Sequence, residues 1–260
     1  MNYFTSGIHG DLALYKKIKN MLDSDDHLWI LGDILDGNSS HPEHCIEILD
    51  DIWRSKNVTL ILGDHEYFHA MRILSLEEDD GDDIWSDFLL SDEVSGKALI
   101  EYIDTLPEDD VASIVQKLCK LEVSEILKIG DKFFYLCHGA PAIRTLTDGG
   151  NISWQYKVVS NYLDFTTDYS IEMGSDLNIN VFTDRYKSVD FKKSIIITGH
   201  TPTEDMEEDD IQKMDGIYYE HKKFCLNQNH TADDTEDAGG IIPEWHLLGV
   251  DTAGFLTTTI

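Results

Sequence analysis

The chain is short of positive charge, of arginine in particular, and of paired cysteines. Twenty Lys and Arg stand against fifty Asp and Glu, a net charge of −30 over 260 residues. A field of that sign repels a phosphate backbone, which excludes a nucleic acid polymer as the expected partner. Arginine occurs only at Arg54, Arg72, Arg144 and Arg185, so few side chains can take two phosphate oxygens at once. Cys45, Cys119, Cys137 and Cys225 lie far apart, with no C-x-x-C pair and no secretory signal before them. Reduced thiols in a cytoplasmic protein are the expectation. No apolar run approaches the roughly 18 residues of a membrane span, so a soluble chain with no membrane partner is expected.

What the chain has in quantity is acid. An acidic protein acting on an anionic substrate needs local positive charge, and divalent cations supply it; as a surface property, acidity also serves solubility alone. The length suits a single domain, 1–260, with one substantial core or two tightly fused halves. Residues 2–6, 27–31 and 58–62 read as short buried strands, and 11–22, 41–54 and 66–77 carry helix-like apolar spacing. Strand-like runs resume at 133–137 and 194–198, each ending at a His, and by pattern alone they continue the same sheet. The acidic run Glu77–Asp83 reads as a solvated turn before a helical insertion at about 80–121, and 142–192 as an irregular rim segment. Within that rim, Trp154, Tyr156, Tyr162, Phe165 and Tyr169 have no single-face period and suit a local apolar cluster better than a stacking platform. Further acidic runs at 204–210 and 233–237 flank short strands and are expected to face water.

Short motifs follow the strands: Ser6-Gly7-Ile8-His9-Gly10, Gly32-Asp33-Ile34-Leu35-Asp36-Gly37, Gly63-Asp64-His65-Glu66, His138-Gly139 and Gly199-His200. Function belongs at such strand ends, where open α/β sheets bind ligands. Two divalent ions about 3.5–4 Å apart need roughly four ligands each and a carboxylate that bridges them. Asp33, after a strand and a Gly that lets the backbone turn, is the candidate bridge, and Asp36 can sit behind it. Taken alone, a Gly-Asp after a strand is as readily a turn cap.

In this order the motifs resemble the PPP-type phosphoprotein phosphatases and diadenosine-tetraphosphatases, a branch of the calcineurin-like metallophosphoesterases. The matching positions are His9-Gly10, Gly32-Asp33, Asp36, Gly63, His65-Glu66, His138-Gly139 and Gly199-His200, over nearly the full length. The resemblance implies an α/β, four-layer metallophosphoesterase sandwich: two mixed β-sheets packed face to face, with helices outside. It implies that His9 binds a first metal, Asp33 bridges, and His138 and His200 bind a second. His65 becomes the general acid and Asp36 the carboxylate that holds its imidazole. The activity implied is metal-dependent phosphoester hydrolysis by a metal-bridging hydroxide, on a phosphoprotein or a phosphorylated small molecule such as a nucleotide. The ions are expected to be Mn²⁺, with Fe, Zn or Ni as alternatives. Arg185, in an aromatic-x-Arg-like element, and Arg144, soon after His138, are the candidate phosphate contacts.

The chain departs from the pattern at both metals. Gly7 stands where the family has a first-metal Asp, and Asp64 where it has a second-metal Asn. The first site should therefore be weak and the second, with Asp33, Asp64, His138 and His200, should fill first. Gly37 also replaces a family Arg, which removes one phosphate clamp. Three readings remain: an enzyme whose first metal is weak or held through Asp11 or Asp251, a family member of impaired or lost activity that binds a phosphate ligand or protein partner, or an alteration at position 7. Asp251, in an Asp-Thr-Ala-Gly run, otherwise reads as a turn cap. Glu66 reads as an early helical acid beside unpaired N–H groups.

Overall fold

A computed structural model of the chain describes residues 1–37, 40–75, 96–122, 124–139, 194–199, 212–214, 217–220, 223–226, 247–254 and 256–258. Strands β1 (Asn2–Thr5), β2 (His27–Leu31) and β3 (Val58–Ile61) lie parallel, with Tyr3 beside Leu28 and Leu28 beside Val58. Their side chains alternate between two buried faces. Tyr3, Leu28, Ile30, Val58 and Leu60 point to one hydrophobic cluster, and Phe4, Trp29, Leu31 and Ile61 to another. Burial on both faces explains why these strands are nearly continuous apolar runs and not alternating ones. The C-terminal strands β10 (Leu248–Val250) and β11 (Leu256–Thr258) complete this sheet in the order β11-β10-β1-β2-β3, β10 running antiparallel to β1.

The second sheet is built from β4 (Ser124–Ile129), β5 (Lys132–Cys137), β6 (Ser194–Thr198), β7 (Gln212–Met214), β8 (Ile217–Glu220) and β9 (Lys223–Cys225), in the order β4-β5-β6-β9-β8-β7. It is mixed: β5, β6 and β9 are parallel neighbours, while β4-β5, β8-β9 and β7-β8 are antiparallel. Ile129, Phe134, Leu136, Ile195, Ile197 and Leu226 of this half pack against Phe4, Leu31, Ile61, Leu248 and Val250 of the first sheet. The sheets thus meet face to face. The strands β5 and β6 do not extend the first sheet, as pattern alone suggests, but belong to a sheet of their own. An isolated bridge joins Ile61 at the end of β3 to Glu122, with Leu62 N–H donating to Glu122 O at 2.9 Å. Alternation along a strand reports which faces are buried, and it carries no information on which strands are neighbours.

Helices α1 (Leu12–Lys19), α2 (Glu43–Arg54), α3 (Asp64–Ser75), α4 (Lys97–Ile103) and α5 (Glu108–Leu118) lay apolar faces on the outer side of the first sheet, through Tyr15, Ile18, Ile48, Leu49, Tyr67, Leu99, Ile103, Ile114 and Leu118. The last two lie within the expected insertion at 80–121. The acidic run 77–83 and the rim 142–192 lie outside the described residues. Arg72 of α3 donates through both terminal nitrogens, each at 3.0 Å, to the carboxylate of Asp104 just after α4. Among the described residues no helix is long and apolar enough to cross a membrane.

Phe134 is fully buried where the sheets meet. Phe134→Ala is expected to cost about 3–5 kcal/mol, from lost burial and a cavity that two stiff sheets cannot close. Urea unfolding of the two proteins measures it.

Candidate metal centre

Parallel strands β1, β2 and β3 present their carboxyl ends together, and the loops that leave them carry the motifs. The loop after β1 is laced to the loop after β2 by Gly7 N–H to Gly32 O (3.2 Å), His9 N–H to Asp33 O (2.9 Å) and Gly10 N–H to Ile34 O (2.8 Å). Three non-glycine residues in these loops hold left-handed backbone angles: His9 (φ 45°), Asp33 (φ 61°) and Asp36 (φ 64°). Such conformations cost on the order of 1–3 kcal/mol each and persist only where the surroundings dictate them.

The main restraint is Glu66. Its carboxylate is fully buried, and both oxygens accept backbone N–H groups: Oε2 from Asp33 (2.9 Å) and Gly63 (3.0 Å), Oε1 from Ile34 (2.9 Å) and Leu35 (3.1 Å). Burial and the neighbouring Asp33 raise its pKa, while the backbone bond from Asp33 opposes the rise. Four donors on two oxygens leave no acceptor for a carboxyl proton, so the geometry is that of the anion. The sequence reading placed Glu66 at a helix start, which is correct locally and misses this role. Gly63 is required beside it, because a Cβ there would lie 2.5 Å from Asp33 Oδ1 and 2.6 Å from Glu66 Oε2.

Three imidazoles gather at these loops, each with its Nδ1 engaged elsewhere. Nδ1 of His9 pairs with Leu35 O (3.1 Å), that of His138 with Leu31 O (2.6 Å) and that of His65 with Asp36 Oδ2 (2.8 Å). Carbonyl and carboxylate partners accept, so each Nδ1 bears the proton and each Nε2 is turned to the site. His138 comes this close to β2 only because residue 32 is glycine, since a Cβ there would collide with its ring.

The donors fall into two clusters in which ligand atoms lie within 4.8 Å of one another: His9, Asp33 and His65, and Asp33, Asp64 and His138. Asp33 belongs to both. His138 Nε2 stands 3.0 Å from Asp64 Oδ1 and 3.3 Å from Asp33 Oδ2, and His9 Nε2 3.9 Å from Asp33 Oδ2. The chain therefore holds a potential dinuclear site of His and Asp donors. A divalent ion fits it on two grounds. Asp33 Oδ1 is buried with no hydrogen-bond partner among the described residues, and the clustered carboxylates hold nearby rings in their charged form. Burial would lower the His65 pKa, but Asp33, Asp36 and Asp64 raise it to about 10, and Asp33 and Asp64 raise His138 well above its usual value against the same burial. Such a site is short of positive charge.

Asp36 lies between two imidazoles. Besides His65 it bonds His69 Nε2 (2.7 Å), a fully buried ring four residues along the same helix. Burial would raise the Asp36 carboxyl, but His69 and His65 hold it down at about 2. His69 was not foreseen, although the His65-x-x-x-His69 spacing sets both rings on one face of α3.

Gly7 has φ 65° and brings no carboxylate. Neither suggested replacement joins either cluster. Asp11 caps α1, its Oδ1 accepting Leu14 N–H at 2.8 Å, and Asp251 accepts Ala253 N–H at 2.8 Å, the turn-capping role. Gly199 N–H donates to His138 O at 2.7 Å, so the late Gly-His motif begins beside His138. His200, Arg144 and Arg185 lie outside the described residues. The other two arginines are occupied, Arg72 as above and Arg54 through Nε to Asp50 O at 3.0 Å.

Residues 3–229 match the family model for calcineurin-like phosphoesterases, and the chain belongs to that family. No curated protein matches it. Among solved structures it is similar to a hypothetical protein from Pyrococcus horikoshii OT3, at 13% identity over 100% of this chain and 87% of that one (TM-score 0.49). It is also similar to a metallophosphoesterase from Sphaerobacter thermophilus, at 14% identity over 100% and 88% (TM-score 0.47).

Two outcomes follow from this geometry. Glu66→Ala strands four buried N–H groups and should destabilise the protein by at least about 3 kcal/mol, read from urea unfolding. The second outcome concerns pH. Because the folded-state pKa of His65 is raised to about 10, its contribution is complete below an ordinary histidine pKa of about 6.5 and is lost as pH rises through 10. Chelator-treated protein should therefore lose stability between those values, and the stabilisation gained on adding Mn²⁺ should grow with pH, since an ion in the second cluster must displace the proton of His138, whose pKa is also raised.

Proposed function

We propose that this chain is a metal-dependent phosphoester hydrolase of the PPP-type phosphatase and diadenosine-tetraphosphatase branch, acting on a phosphoprotein or a nucleotide-like phosphate. The observation that carries the reading is that Asp33 is common to both donor clusters, as the bridging carboxylate of a two-ion site must be. His9 and Asp33 would hold the first ion, and Asp33, Asp64, His138 and His200 the second. Mn²⁺ is the preferred metal, and the first site is the weaker because Gly7 contributes nothing. When bound, the ions would supply an acidified water as nucleophile and neutralise charge growing on the phosphoryl oxygens.

The chain's own residues complete the chemistry. Asp36 accepts from His65 Nδ1 and favours the charged ring, so His65 Nε2 can hold the proton that the departing oxygen takes. His69, on the other oxygen of Asp36, fixes that carboxylate. Glu66 keeps the Asp33 loop in place. Arg185 and Arg144 are proposed as the phosphate contacts, since Arg72 and Arg54 are engaged elsewhere. A second reading, a catalytically weak protein that binds a phosphate ligand or protein partner, is favoured by Gly7 alone, with neither Asp11 nor Asp251 supplying the missing carboxylate.

Hydrolysis of an aryl phosphate with and without Mn²⁺, beside His65→Ala, separates the two. The enzyme reading expects manganese dependence and a loss of about 10²–10⁴-fold in the variant. Activity indifferent to both would defeat it, and phosphate binding without turnover would establish the second reading.

A further inference from the structure

The first cluster contains a third donor that the general-acid role leaves unexplained. His9 and Asp33 are joined there by His65, all three offering a ligand atom within 4.8 Å of the others. The rings of His9 and His65 meet edge to face with centroids 4.9 Å apart. His65 Nδ1 is fixed by Asp36, and Asp36 by His69. This chain of carboxylate and imidazole orients a metal-binding histidine and raises its basicity. Gly7, two residues before His9, offers no competing carboxylate, and Asp11 and Asp251 stand outside the cluster.

We infer that in the substrate-free protein His65 Nε2 is the third protein ligand of the first ion, in place of the carboxylate that Gly7 lacks. The inference rests on the two-ion reading above and deepens it. One nitrogen cannot bind an ion and carry a proton together. The first site is thus capped by the residue that must later act as acid, and His65 becomes available only when a phosphate oxygen takes its place on the ion and the released Nε2 takes a proton from solvent. A first site capped in this way is held by the chain itself while no substrate is present. An aspartate at position 7 would make the cap unnecessary. The left-handed φ of 65° there is one that Asp tolerates better than most residues.

Two measurements test this without recourse to turnover. Anomalous scattering from crystals of the full chain grown with Mn²⁺ should place the first ion about 2.0–2.4 Å from His65 Nε2. An ion more than about 3.5 Å from that nitrogen would overturn the inference. Calorimetric Mn²⁺ titration should show first-site affinity at least about tenfold weaker in His65→Ala, with second-site binding preserved as the sign of a folded protein. In a Gly7→Asp background the same His65 substitution should cost less than about twofold. Two ions bound with first-site affinity unchanged in His65→Ala would overturn the inference and leave the two-ion reading standing. A native chain that takes up one ion alone, in the second cluster, would overturn both.

Discussion

The carboxylate of Glu66 holds the site together. It reaches from the first turn of α3 into the two loops that follow β2 and β3 and accepts four of their backbone N–H groups. Those N–H groups cannot pair within a strand or a helix, because the chain there is turning through left-handed angles at Asp33 and Asp36. A buried anion surrounded by amide donors satisfies them and fixes the turn. Asp33 is then presented to both clusters, and Asp36 is directed back to the histidines of the same helix.

The second constraint is electrostatic. Asp33, Asp64 and Asp36 stand with three imidazoles at the ends of the strands, in a protein whose net charge is −30. Asp33 and Asp64 hold the His65 and His138 rings in the charged form against their burial. Protons are a poor substitute for divalent ions, since they occupy the same ring nitrogens that an ion would use. The raised histidines and the orphaned Asp33 oxygen have one physical origin, an excess of carboxylate. Asp64 adds to that excess in the second cluster, while Gly7 brings no carboxylate.

Much of this was legible in the sequence. The parallel strands were visible because burial on both faces makes Phe4, Leu28, Ile30 and Leu60 part of unbroken apolar runs, and motif order placed His9, Asp33, Asp64 and His138 at their ends. β4 was not foreseen, although Gly130-Asp131 between Ile129 and Lys132 is a hairpin signal, with Gly130 at φ 61°. Sheet membership was misread from pattern, and only the family resemblance implied two sheets. His69 could have been found from its spacing to His65.

Glu66 could not have been found in that way. An acid at a helix start has a sufficient local explanation, and its actual partners at Asp33, Ile34 and Leu35 lie more than thirty residues earlier in the chain. The residue types at the strand ends, and with them the family, were already visible in the order of the motifs, as was the want of a carboxylate at Gly7. That Asp33 belongs to two clusters, that Asp36 serves two histidines and that His65 stands beside His9 and Asp33 came from the packing alone. Those are distances between segments remote in sequence, set by how two sheets and a helix pack, and no local pattern encodes them.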